Sequence, residues 1–116
     1  MKKDSILQNF FCLSSRVAIY VPGTININET CDTSEYIDKT ALLLAELFGG
    51  STCMNGLGCW KSSELVKERS TLVYAACTEE DLNKSIEIIV KYCEDLRDEL
   101  KQEAVALEVN GIMYWI

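Results

Sequence analysis

The stretch Phe48–Arg69, FGGSTCMNGLGCWKSSELVKER, decides how the chain folds. It carries four of the six glycines, two of the six cysteines, one of the two tryptophans and three of the eleven basic residues. It lies between an amphipathic helix and a strongly apolar strand, and so joins two halves of the chain. Gly49-Gly50 ends the helix, because glycine takes the left-handed cap conformation without steric cost. Ser51–Trp60 reads as an irregular strand in which Gly56 and Gly58 predict a bulge or a close backbone approach. Lys61–Leu65 predicts a hairpin turn. Val66–Cys77 (VKERSTLVYAAC) is a strand, polar at its start and apolar through Leu72–Ala75.

Towards the N-terminus, Ile37, Ala41, Leu44 and Phe48 recur at helical spacing, with Leu43 and Leu47 widening the stripe. Asp32 with Glu35 predicts a capping box at the start of that helix. Arg16–Val21 (RVAIYV) is almost continuously apolar, as an inner strand is, and Pro22-Gly23 closes it. Thr24–Cys31 reads as a polar loop. Residues 1–15 predict an arm or short helix, apolar at Ile6, Phe10, Phe11 and Leu13. Together with Tyr114 and Trp115, this arm or a second copy is expected to cover the open sheet face.

Towards the C-terminus, Thr78 caps a second helix with Glu79, Glu80 and Asp81 in its first turn, where the dipole favours anions. Leu82, Ile86, Ile89, Cys93, Leu96 and Leu100 form its buried stripe, and it is expected to run to about Lys101. Asn110-Gly111 between apolar runs predicts a type I′ hairpin. The order β-α-β-β-α-β with a C-terminal β-hairpin predicts an α+β, ferredoxin-like split βαββαβ sandwich, two helices on one face of an antiparallel sheet. The expected organisation is an arm over 1–15 and a single domain over 16–116.

Composition narrows function by exclusion. A chain of 116 residues, 48% hydrophobic, can bury a core without staples. A net charge of −7 argues against duplex nucleic acid and anionic membranes. No apolar run reaches membrane-spanning length and no cleavable secretion signal is evident, so the expected location is a reducing cytosol. The six cysteines then read as free thiols. With no histidine and no CxxC, neither a metal site nor a cofactor nor a catalytic residue is expected.

The residues QEAVALEVNGIMY (102–114), VKERSTLVYA, FGGST, the turn after Trp60 and RVAIYV-Pro22-Gly23 together resemble an uncharacterised group of small ferredoxin-like proteins of phages and mobile elements. The resemblance spans residues 16–116 and implies the fold and the setting, with no catalytic residue to carry over. In that setting, small acidic proteins often sequester an immune signal or block a host protein.

The leading expectation is a non-enzymatic homo-oligomer that sequesters a small anionic or nucleotide-like ligand. The candidate ligand-binding residues are Arg16, Asn26, Asn28, Gly49, Gly50, Ser51, Thr52, Trp60, Lys61, Lys67 and Arg69. Trp60 stacks on the ligand and the basic residues take phosphate. A second expectation is an acidic inhibitor of a host defence protein, using the helix Glu79–Glu99. A third is a small enzyme working through Glu68, Glu103 or Glu108.

Overall fold

Alternation along one strand divides the molecule into two faces. In β1 (Ser15–Pro22), Val17, Ile19 and Val21 point to a covered face, and Arg16, Ala18 and Tyr20 to the other. The computed structural model describes residues 2–25, 29–30 and 32–116. The remaining elements are α1 (Lys2–Leu7), β2 (Thr24–Ile25), β3 (Glu29–Thr30), α2 (Ser34–Phe48), β4 (Thr52–Lys61), β5 (Leu65–Cys77), α3 (Glu79–Glu99), β6 (Ala106–Val109) and β7 (Ile112–Trp115). The main sheet has the order β4-β5-β1-β6-β7, antiparallel throughout. Its first four strands with α2 and α3 are the ferredoxin-like arrangement, and β7 is the added hairpin strand.

The helices cover the Val17–Ile19–Val21 face. Leu44 of α2 and Leu82, Ile89, Cys93 and Leu96 of α3 meet Val73, Ala75 and Cys77 of β5 and Leu107 of β6 in one core. Thr40 is the buried polar exception: its hydroxyl donates to the Tyr36 carbonyl at 2.7 Å and shares a 2.7 Å bond with the Tyr92 hydroxyl. The paired hydroxyls lock α2 to α3 without leaving a buried group unsatisfied.

The end signals act as read, with two local differences. Thr78 Oγ1 accepts from the Asp81 N–H at 3.1 Å, and Gly49 takes φ 92°. Asn110 (φ 52°) and Gly111 (φ 83°) form the predicted turn, and Asn110 Oδ1 also accepts from the Arg16 N–H at 2.8 Å. At the start of α2, Thr33 occupies the cap position with no capping bond from its side chain, whereas Asp32 Oδ1 accepts from the Ser34 N–H at 3.0 Å. The expected capping box is therefore replaced by an aspartate turn one residue earlier.

Three sequence expectations are corrected. β4 has no bulge, since Thr52↔Tyr74 through Lys61↔Leu65 is one unbroken register. The loop from Thr24 contains a short antiparallel pair, β2 with β3. The arm does not cover the open face: α1 buries no residue, Phe11 is 86% exposed, and Tyr114 turns to the helix side of β7 while Trp115 takes the open side.

Burial pushes the Cys93 thiol up to about 12, with the Glu94 charge adding to the shift. A raised thiol pKa means that the stabilising contribution is complete below the unfolded value near 9 and is lost as pH rises towards about 12. Unfolding free energies from urea denaturation between pH 8 and pH 11 should fall with a slope approaching about 1.4 kcal/mol per pH unit above pH 9. Cys93→Ala should be less stable at pH 8 and show a flatter slope.

Candidate functional site

The uncovered sheet face gathers most of the chemistry. By register it presents Arg16, Ala18, Tyr20 and Pro22 from β1, and Glu68, Ser70, Leu72 and Tyr74 from β5. Thr52, Met54 and Trp60 of β4, Glu108 of β6, and Met113 and Trp115 of β7 complete it. A polar chain runs across one half. The Arg16 guanidinium lies 4.2 Å from the Tyr74 ring centroid, and its Nε stands 3.8 Å from Glu108 Oε2. Tyr20 lies on the same face beside Glu108, and its pKa is raised first by burial and then by the Glu108 charge.

The other half holds a depression of about 150 Å³, lined by Tyr20, Pro22, Glu68, Ser70, Gln102 and Trp115 among others. Its carboxylate is placed by backbone geometry. Gly23 donates its N–H to the Arg69 carbonyl at 2.9 Å, which brings Thr24 beside Glu68 so that Thr24 Oγ1 donates to Glu68 Oε1 at 2.8 Å. Gln102 Nε2 in turn donates to the Thr24 carbonyl at 3.1 Å. The depression thus combines two aromatic rings, one oriented carboxylate and a fixed amide.

The candidate residues named from sequence fall into separate places. Gly49, Gly50, Ser51 and Thr52 line a cavity of about 420 Å³ at one end of the sheet with Tyr74, over which Arg16 sits. Trp60 and Lys61 lie roughly 26 Å further along β4, at about 3.3 Å per residue. Strand alternation then divides the rest: Trp60 is on the open side, and Lys61, Lys67 and Arg69 are on the helix side. Among the described residues, no single pocket gathers all of them. Asn26 and Asn28 lie outside the described residues. The carboxylates also separate, since Glu68 and Glu108 stand about six β1 residues apart, on the order of 20 Å, and Glu103 is in the loop before β6.

Sequence reading missed Tyr20, Tyr74, Gln102 and Trp115 as site residues. The usable signal was the even-numbered register of RVAIYV, in which Arg16 and Tyr20 share a face. Among the described residues no cluster of three or more metal-ligating side chains forms, and no helix is long and apolar enough to cross a membrane.

Two solved structures share this fold. A phage SAM lyase in complex with S-methyl-5′-thioadenosine aligns with a TM-score of 0.64 and 19% identity, covering 95% of both chains. A phage SAM lyase in the apo state aligns with a TM-score of 0.59 and 19% identity, covering 90% of this chain and 89% of the other. No protein-family model matches, and no curated protein does. The resemblance to small phage proteins is met at the level of fold. The expectation of a non-enzymatic protein, whether sequestering or inhibitory, is overturned, because what shares the fold over nearly the whole chain is an enzyme.

The close approach at Gly23 provides a test of how Glu68 is positioned. A Cβ there would lie 2.5 Å from the Arg69 carbonyl oxygen, whereas at Gly58 it would meet nothing nearer than 3.5 Å. Gly23→Ala should lower stability by about 1–3 kcal/mol by urea denaturation, and Gly58→Ala by less than about 1 kcal/mol.

Proposed function

We propose that the protein is a lyase acting on S-adenosylmethionine, releasing S-methyl-5′-thioadenosine from the open sheet face. The observation that carries this reading is the depression holding Tyr20, Trp115 and the oriented Glu68, on a fold shared with a phage SAM lyase. A sulfonium nucleoside needs a flat apolar surface for its base and a partner for its positive charge. Trp115 and Tyr20 supply the first and attract the cation through their ring faces. Glu68 supplies the second.

The reaction breaks the bond between sulfur and the amino-acid side chain. The electron pair goes to sulfur, which leaves as a neutral thioether. The four-carbon fragment is completed either by transfer of a proton from the neighbouring carbon to the Glu68 carboxylate, acting as general base, or by closure of its own carboxylate onto the carbon that sulfur left. Neither route adds water. An apolar lining favours this step, because charge carried by the ground state is spread out in the transition state. Of the three functions expected from sequence, this keeps the carboxylate-dependent enzyme and selects Glu68 from its candidates.

A volume of about 150 Å³ is below the range of about 300–1,000 Å³ usual for small-molecule sites. A second copy laid over the open face encloses the substrate further. This agrees with the β4–β5 hairpin, whose outer part, residues 57–61 and 65–69, projects on the order of 15 Å beyond β1. That hairpin leaves Trp60 exposed on the open side.

Incubating the protein with S-adenosylmethionine and following products by liquid chromatography and mass spectrometry tests the proposal. S-methyl-5′-thioadenosine should accumulate, and Glu68→Gln should slow it by about 10²-fold or more with an unchanged melting temperature. Activity per chain should fall on dilution if copies complete the site. No product above the no-enzyme rate, or a Glu68→Gln variant as active as the parent, would refute it.

A further inference from the structure

A second cavity lies on the opposite, helix-covered side of the sheet, between the start of α2 and the root of the β4–β5 hairpin. It has a volume of about 270 Å³, and its walls include Asp32, Thr33, Ser34, Ile37, Asn55 and Arg69. Ser70 borders both cavities, but Glu68 and Arg69 project to opposite faces of β5, so the charged groups of the two are separate.

Three features give this cavity the character of a binding site. Thr33 is only 6% exposed and lines the cavity, and its hydroxyl makes no capping bond. A hydroxyl at a helix cap position normally satisfies a free N–H of the first turn; here the residue faces the cavity instead. Arg69 brings a positive charge to the cavity wall in a chain whose net charge is −7. Asp32 uses Oδ1 to accept from the Ser34 N–H and from the Ser34 hydroxyl at 2.7 Å, which fixes the carboxylate with its second oxygen uncommitted among the described residues. The same two bonds hold its pKa below the usual carboxylate value, so it is charged at neutral pH.

A simple anion does not suit this set, since Asp32 opposes it. A simple cation does not either, since Arg69 opposes it. We propose that the cavity binds the zwitterionic head of an α-amino acid, with the carboxylate on Arg69 and the Thr33 hydroxyl and the ammonium on Asp32. Arg69 offers a planar fork of donors that matches a carboxylate, and the first turn of α2 adds its positive end. Ile37 and the methyl of Thr33 give the side chain an apolar wall, and about 270 Å³ accommodates one of moderate size. The inference is independent of the proposed reaction. Free amino acids and the tail of a sulfonium substrate share this head group.

The test is a ¹H–¹⁵N NMR titration of the full chain with L-methionine, and separately with acetate, methylamine and S-methyl-5′-thioadenosine. L-methionine should shift the amides of Gly23, Thr33, Ser34 and Arg69. The thioadenosine, which lacks the head group, should leave the amides of Thr33 and Ser34 unmoved. Acetate and methylamine should each bind at least tenfold more weakly, roughly the loss of one charge-assisted contact. Arg69→Ala and Asp32→Asn should each weaken L-methionine by roughly tenfold or more. Arg69→Lys, which keeps the charge and the strand, should recover only part, separating a binding defect from misfolding. No methionine-dependent shift at these amides overturns the proposal, as does acetate binding as tightly as methionine. A response unchanged in Asp32→Asn also overturns it. Turnover of S-adenosylmethionine is read separately, so failure here leaves the Glu68 site intact and the reverse holds too.

Discussion

The pairing of β1 with β5 is the constraint on which everything else depends. Val17↔Ala75 and Ile19↔Val73 are fully or nearly fully buried against the helices, and a slip of one residue would drive Arg16, Tyr20 and Tyr74 into that core. Burial of one face therefore dictates what the other can hold. Once the odd-numbered residues are committed to the core, Arg16, Tyr20, Glu68 and Tyr74 are delivered to the uncovered side without further instruction. The same register ends at Pro22, and the Gly23 N–H bonds Arg69 just beyond it.

Function follows from how the open face is left. An ordinary solvated sheet face would carry short polar residues and scattered charges. Here Arg16 pairs with Glu108 beside Tyr20, and Glu68 is held by Thr24, which Gln102 holds in turn. These contacts orient side chains that could otherwise swing freely in water. Their ordering is what a site requires before a ligand arrives, and it extends over both the polar half of the face and the aromatic depression. The acidic face of α3 shows the contrast. Its Lys84–Glu80 and Lys91–Asp95 pairs are exposed i,i+4 contacts of the kind that add little stability and position nothing.

Much of the fold was legible because its signals are local. Asn110-Gly111, Gly49, Thr78 and the stripe Leu82–Ile89–Cys93–Leu96 each act within a few residues, and each works in the folded chain as its chemistry requires. The site was less legible because its contacts are not local. Thr24 meets Glu68 across 44 positions, and Arg16 meets Glu108 from the other end of the chain. Lys61, Lys67, Arg69 and Trp60 look clustered in sequence, and only the register shows that the pleat divides them between two faces. The glycines misled for a related reason. Gly56 and Gly58 sit in unbroken pairing, whereas the glycine that a close approach requires is Gly23, at the end of a strand where it read as a terminator.

The most direct test of the central claim is a crystal structure of the protein with S-methyl-5′-thioadenosine. The account predicts the adenine against Trp115 or Tyr20 on the open face, with the thioether within contact distance of the Glu68 carboxylate. A ligand bound only on the helix-covered side, or a fully occupied ligand remote from Glu68, would contradict it.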